Sequence, residues 1–272
     1  MNARLLEADE IQEFDHANIP NLSNLLSSLV DSLDVDPGRK FTIPWQAPAS
    51  GFVWNTEAVP DGIKTLDDFL RPELKGKVGV LSEMRDTMGI IMSAQGVDIS
   101  GDWGESEFDA ALAWLDDGLK SGQISQVKGN SYTQDLETDT TLAAIAWTGD
   151  IAALNFEQGD RWTLEVPESG GTIAADSFTV PNGTSAENKA LVEEMINYYY
   201  QPEVAAQVAD YVQFITPVQG AREAMESVNP DQVDNPLIFP DDEMNSRLHG
   251  FRTLTPQEDN QFTSAFQSVL GL

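Results

Sequence analysis

The sequence predicts an α/β fold. Two observations carry that reading. Short apolar runs of strand length alternate along the chain with longer helical patterns, and most of the helical patterns carry their own start or stop signals. At 272 residues the chain is long enough for two modest domains, or one large one, with a real core. Strands separated by helices further predict mainly parallel sheets.

Met1 to Ile11 reads as a short acidic helix and lacks the basic and apolar regions of a secretory signal. Phe41–Pro44 and Gly51–Asn55 read as short strands around a proline-containing loop, Trp45 to Ser50. Leu66–Leu70 is a helical turn and Lys77–Leu81 a buried strand, followed by a helix from Asp86 to Gln95 that Gly96 stops. Ser106–Leu119 is amphipathic, with Phe108, Leu112 and Leu115 on one face and Ser106 with Asp109 as a capping pair. Leu142–Trp147 and Trp162–Val166 are strands, with a helix over Asp150–Phe156 between them. Thr172–Val180 reads as one strand interrupted by Asp176-Ser177. Glu187–Tyr200 and Glu203–Val212 are helices separated by Pro202, which suits a first helical turn and not a helix interior. Thr255-Pro-Gln-Glu258 is a capping box that opens a terminal helix to Val269.

Composition narrows the function. Hydrophobic residues at 41% and charged residues at 22% are ordinary for a folded soluble protein, and no apolar run reaches the length of a membrane span. Asp and Glu number 45 against 15 Lys and Arg, a formal charge of −30. Such a surface repels nucleic acid and anionic headgroups and draws cations. It is also what a generally acidic, salt-adapted proteome produces. With no cysteine there is no disulfide, thiolate metal site or Cys nucleophile. His16 and His249 lie far apart and beside no nucleophile motif, so neither a Ser-His-Asp triad nor a two-histidine zinc site is expected. No cofactor is expected.

Several stretches, in order, resemble the spermidine/putrescine-binding family of bacterial extracellular solute-binding proteins that serve ABC importers. They are Phe41-Thr-Ile-Pro-Trp with Gly51-Phe-Val-Trp-Asn, Leu66-Asp-Asp-Phe-Leu-Arg-Pro-Glu-Leu-Lys-Gly-Lys-Val, Leu81-Ser-Glu-Met-Arg-Asp86 and Ile145-Ala-Trp-Thr-Gly149. Gly170-Gly-Thr-Ile-Ala-Ala-Asp-Ser-Phe-Thr-Val-Pro181, Tyr199-Tyr-Gln-Pro and Phe214-Ile-Thr-Pro follow. The likeness covers essentially the whole chain. It implies a periplasmic-binding-protein-like (type II) two-lobed flytrap, with lobe one at 1–50 and 174–245 and lobe two at 51–173 and 246–272. The matched pattern begins part-way into the family's first lobe, so that lobe is expected to be incomplete at its N-terminus and to expose sheet edges. It further implies a monomer in the periplasm or outside the cell, lipid-anchored or free, with an ABC permease as its membrane partner.

By position in the family, the ligand-binding residues are Asp176, Glu83, Asp86, Trp147, Ser131, Tyr132 and Phe214. The implied cargo is a polyamine, a flexible chain of methylenes with ammonium groups. Carboxylates meet the ammoniums, each charged hydrogen bond being worth roughly 1.5–3 kcal/mol, and aromatic faces line the rest at about 0.5–2 kcal/mol each. Asp176 lies in an otherwise apolar run, where a carboxylate is costly unless paired. Its bland reading is a strand-end cap. Glu83 and Asp86 sit three apart at a helix start, where they also complement the helix dipole. Trp147 is read as either an aromatic wall or core. Arg85 is expected to pair with a carboxylate across the cleft. Ala174 stands where the family often has a second Trp, and Phe214 where Tyr is common, which widens the choice to other amines.

The alternatives are the same fold holding an anion or ferric iron, and a carboxylate-based hydrolase. Tyr198–Tyr200 tempts the iron reading, but three consecutive residues on a helix cannot all face one site. No nucleophile, metal or phosphate motif supports an enzyme.

Overall fold

The computed structural model describes residues 2–26 and 36–271. Its strands are β1 (Ile43–Gln46), β2 (Ala49–Asn55), β3 (Val78–Leu81), β4 (Ile124–Lys128), β5 (Ala143–Trp147), β6 (Trp162–Glu165), β7 (Gly171–Ile173), β8 (Asp176–Phe178) and β9 (Leu248–His249). The chain divides into two units, unit 1 with Met1–Pro48 and Ala174–Asp241, unit 2 with Ala49–Ile173 and Asp242–Leu272. The last division falls four residues before the expected one because the helix Asp242–Ser246 delivers β9, which pairs with β7 in unit 2.

Unit 2 is built on a seven-stranded sheet in the order β4-β3-β5-β2-β7-β9, with β6 also on β2. The expectation of mainly parallel strands fails here. β3 is parallel to β4 and β5, and β7 to β9, but β2 runs antiparallel to β5, β6 and β7. Parallel neighbours need a crossover connection, usually helical. The segments between β3 and β4 and between β4 and β5 supply helices, Met84–Ala94 with Glu105–Lys120 and then Tyr132–Glu137. The entering strand β2 has no such connection. It is buried along its whole length, as a central strand reading Ala-Ser-Gly-Phe-Val-Trp-Asn should be. Gly171 is required where β7 meets β2, since a Cβ there would lie 2.4 Å from the Ser50 carbonyl oxygen.

Under the sheet, Phe52 meets Phe69 edge-on at 4.9 Å, while Trp103, Phe108 and Phe262 join the helix Glu105–Lys120 to the terminal helix Pro256–Leu270. The Thr255–Glu258 capping box forms as its sequence predicts. The cap of Glu105–Lys120 is a correction. Gly104, not Ser106, is the N-cap, and its N–H donates to Glu107, as does the Ser106 hydroxyl.

In unit 1, β1 and β8 form an antiparallel ribbon with a bulge between Pro44 and Gln46, so Trp45 and Gln46 belong to a strand and not to a loop. The run Thr172–Val180 is two strands, β7 in unit 2 and β8 in unit 1, and Asp176-Ser177 lies inside the second. The helices Ala186–Tyr199 and Pro202–Val212 pack on the ribbon through Ile196, Tyr199, Tyr200 and Ala205. The Tyr200 hydroxyl donates to the Pro44 carbonyl at 2.6 Å and that of Tyr199 to the Trp45 carbonyl, each satisfying main chain that the ribbon leaves over.

Candidate functional site

The parallel strands β4, β3 and β5 lie side by side in unit 2, and the chain turns into a helix after each of them. Ligands of open α/β sheets gather outside the carboxyl ends of such strands. After β3, Glu83 is the N-cap of Met84–Ala94 and Asp86 sits in its first turn. After β4 come Ser131 and Tyr132, and after β5 Trp147 caps the helix Thr148–Gln158, with Asp150 in its first turn. Five of the expected site residues thus share one end of one sheet.

Asp86 is held by neighbours from two other strands. Its Oδ1 accepts from the Ser50 hydroxyl on β2 at 3.1 Å and from the Thr172 hydroxyl on β7 at 2.8 Å. Gly89, one helical turn on, makes this contact possible, because a Cβ there would come 2.6 Å from the Thr172 Cγ2. Thr172 therefore rests its methyl group on Gly89 and aims its hydroxyl at Asp86. Tyr132 is 5% exposed, with its ring edge-on to Trp147 at 5.9 Å. Its hydroxyl accepts from the Trp147 N–H at 3.1 Å and donates to Asp150.

All three carboxylates are pushed above their ordinary range, and in each desolvation is the largest cause. For Asp86 the hydroxyls of Thr172 and Ser50 and the Trp147 indole oppose it, and for Asp150 the Tyr132 hydroxyl does. Glu83 keeps an exposed surface while surrounding protein atoms strip water from its carboxylate. Ser82 lowers it and the charge of Asp86 raises it further. Burial drives the Tyr132 hydroxyl far up as well, with Asp150 adding. Among the described residues, none of the three carboxylates has an ion-pair partner. Arg85 sits between two of them in sequence but reaches Asp259 of the terminal helix at 2.7 Å. That partner belongs to the same unit, so the expectation of a pair across the cleft is corrected.

The other two expected residues lie in unit 1. Asp176 opposes Gln46 across the ribbon and is exposed. Phe214 is half-buried beside Ile215, which bridges Ala47. Ser131 is exposed, and its side chain makes no capping hydrogen bond. The tyrosine run divides as helical geometry requires, Tyr199 and Tyr200 inward and Tyr198 exposed. The two inward hydroxyls are occupied by carbonyls, and among the described residues no group of three His, Cys, Asp or Glu is arranged to hold a metal ion.

The sequence profile of the bacterial extracellular solute-binding proteins matches residues 2–239. The chain belongs to that family. Among its relatives are the putrescine-binding periplasmic protein of Escherichia coli, 24% identical over 98% of this chain and 75% of that protein, and the spermidine/putrescine-binding periplasmic protein of the same organism. The second is 28% identical over 86% of this chain and 64% of its own length, so the chain spans under two thirds of that relative. The fold is shared with the spermidine/putrescine ABC transporter substrate-binding protein of Streptococcus pneumoniae, at a TM-score of 0.82 and 18% identity, covering 99% of this chain and 80% of that one. This solute-binding protein therefore has the two-unit α/β fold of its family.

Sequence reasoning missed Asp150, Ser50 and Thr172. Asp150 had a usable signal, since it follows a buried strand at the same first-turn position that Asp86 occupies after β3. Ser50 and Thr172 had none. They are small polar residues in buried strands, and only the antiparallel pairing of Ser50 with Thr172 shows that both flank one carboxylate.

Proposed function

We propose that the chain is the substrate-binding component of an ABC importer and that it captures a polyamine, a spermidine- or putrescine-like cation, without catalysing a reaction. The carrying observation is that Glu83, Asp86 and Asp150 gather around Trp147 and Tyr132, partly stripped of water, and that among the described residues none of the three has an ion-pair partner. Desolvated carboxylates in this state favour any ligand that brings positive charge and N–H donors. Trp147, half-buried and braced edge-on by Tyr132, offers a π face to the methylenes or to an ammonium group. Asp176, Phe214 and Ser131 are inferred as further ligand contacts. The periplasmic relatives support a periplasmic or extracellular location, the Streptococcus ABC transporter substrate-binding protein supports an ABC transporter as partner, and we read the chain as a monomer.

A second reading keeps the cation but changes its shape. Ala174 is exposed and offers no wall, and Phe214 carries no hydroxyl, which suits a bulkier or quaternary amine. Titration calorimetry with putrescine, spermidine, a monoamine, choline and a dicarboxylate separates these outcomes. Micromolar binding, about −8 kcal/mol, is expected for a polyamine and none for the dicarboxylate. Heat from choline alone selects the second reading, and silence toward every cation removes both.

A further inference from the structure

We propose that Asp259 is a positioning residue of the cation site, acting through Arg85. The inference rests on the reading of Glu83 and Asp86 as cation ligands, and says what keeps them available. Arg85 is the cation nearest to both in sequence, in the same first helical turn as Asp86, the turn that Glu83 caps. Its long side chain is 42% exposed and lies within electrostatic range of Asp86. Left to itself, such a guanidinium would fold onto the two carboxylates and fill the place of an ammonium ligand, since Arg pairs with carboxylates in a two-pronged geometry. Instead it is drawn to Asp259 at 2.7 Å.

The asymmetry of burial decides the contest. Asp259 is 4% exposed on the inward side of Pro256–Leu270, where a carboxylate is strongly destabilised without a cation beside it. Glu83 is exposed, where a surface ion pair contributes little, and Asp86 already accepts from the Ser50 and Thr172 hydroxyls. Arg85 therefore stays with Asp259. The terminal helix, fixed by its capping box and by Phe262 and Phe266 in the core, brings that carboxylate to a set place and holds the competing cation off the site. Asp259 itself touches no ligand.

The test compares Asp259→Asn with the double variant Asp259→Asn/Arg85→Gln. In the single variant Arg85 loses its anchor and turns to Glu83 and Asp86. Putrescine affinity by calorimetry then falls roughly 10-fold or more, of the order of one charged hydrogen bond. In the double variant no guanidinium is present and affinity returns to within about threefold of wild type. Should the single variant not fold, Asp259→Asn/Arg85→Lys serves in its place, since it keeps a cation at position 85 while the Gln double variant does not. A ligand-free readout separates this inference from the identity of the cargo. NMR titration of the Glu83 and Asp86 carboxyls shows both pKa values falling in Asp259→Asn and recovering in the double variant. Unchanged carboxyl titrations in Asp259→Asn overturn the proposal, as does an affinity loss that removal of Arg85 fails to restore. Normal titration shifts with no putrescine binding in any protein, wild type included, leave Asp259 in its role and sink the polyamine reading.

Discussion

Asp86 shows what one side chain in this site contributes and what it costs. Its carboxylate is fixed by two hydroxyls and raised by desolvation, so the folded protein binds that proton more tightly than the unfolded chain does. For a carboxylate raised on folding, the stabilising contribution is complete below its unfolded value, 3.8, and is lost as pH rises through the folded one. As pH rises above 3.8 the ligand-free protein therefore loses stability through Asp86. Asp86→Asn keeps an oxygen for Ser50 and Thr172, and calorimetric melting is expected to show a higher Tm than wild type at pH 7, with the gap closing on acidification. Putrescine affinity falls by roughly 10- to 150-fold in the same variant, the loss of one charged hydrogen bond. A variant that is both less stable at pH 7 and unimpaired in binding would contradict the assignment. Individual carboxylates were legible in the sequence only where a family pattern marked them. Glu83 and Asp86 lie in such a pattern, whereas Asp150 is one acid among 45 and shows its environment only once β5 and Tyr132 are placed beside it.

At the scale of elements, position was more legible than pairing. The terminal helix, the Pro202 break and the strands β3 and β5 follow from local signals, because caps, prolines and apolar runs act over a few residues. The direction of β2 and the division of β7 from β8 were not legible. They depend on which unit each strand joins, which no short window encodes. Two predictions belong here. Gly89→Ala improves intrinsic helix propensity by up to about 1 kcal/mol, so helix formation alone would predict a more stable protein. The added methyl instead meets Thr172, which is 3% exposed and has no room to withdraw. Such overpacking costs about 1–3 kcal/mol. A lower Tm with weakened putrescine binding is expected, because Thr172 leaves Asp86, and a raised Tm with intact binding would refute the contact. The second concerns the box at Thr255. The Arg252 guanidinium and the Thr255 N–H lower Glu258 from 4.5 to about 2. A carboxylate depressed on folding contributes stability that is present above its unfolded value and lost as pH falls through the folded one. Glu258→Gln keeps an oxygen for the Thr255 N–H but loses the charge that pairs with Arg252, and should therefore cost up to about 1 kcal/mol at neutral pH. Chemical denaturation should show that difference shrinking between pH 4.5 and 2.

At the scale of the whole molecule, the charge of −30 acts on folding and on capture in opposite senses. Self-repulsion among surface carboxylates opposes the folded state, and the same field draws cations toward the protein. Both effects travel through solvent and are screened, the screening length falling from about 30 Å at 0.01 M salt to about 3 Å at 1 M. The short contacts at Asp86, Glu83 and Asp150 are partly desolvated and feel salt less. Raising sodium chloride over that range should therefore raise the Tm of the ligand-free protein. Stopped-flow measurement should meanwhile show the association rate of a polyamine falling by roughly tenfold or more, while the dissociation rate changes little. That split distinguishes a general acidic coat from the site itself. If salt acted mainly on dissociation, the contacts of the bound state would themselves be open to solvent, and a partly desolvated site of three carboxylates would be refuted. A chain whose acidity were only a background for solubility would gain Tm with salt and lose no association rate. The two curves, taken together on one preparation, assign the charge its role.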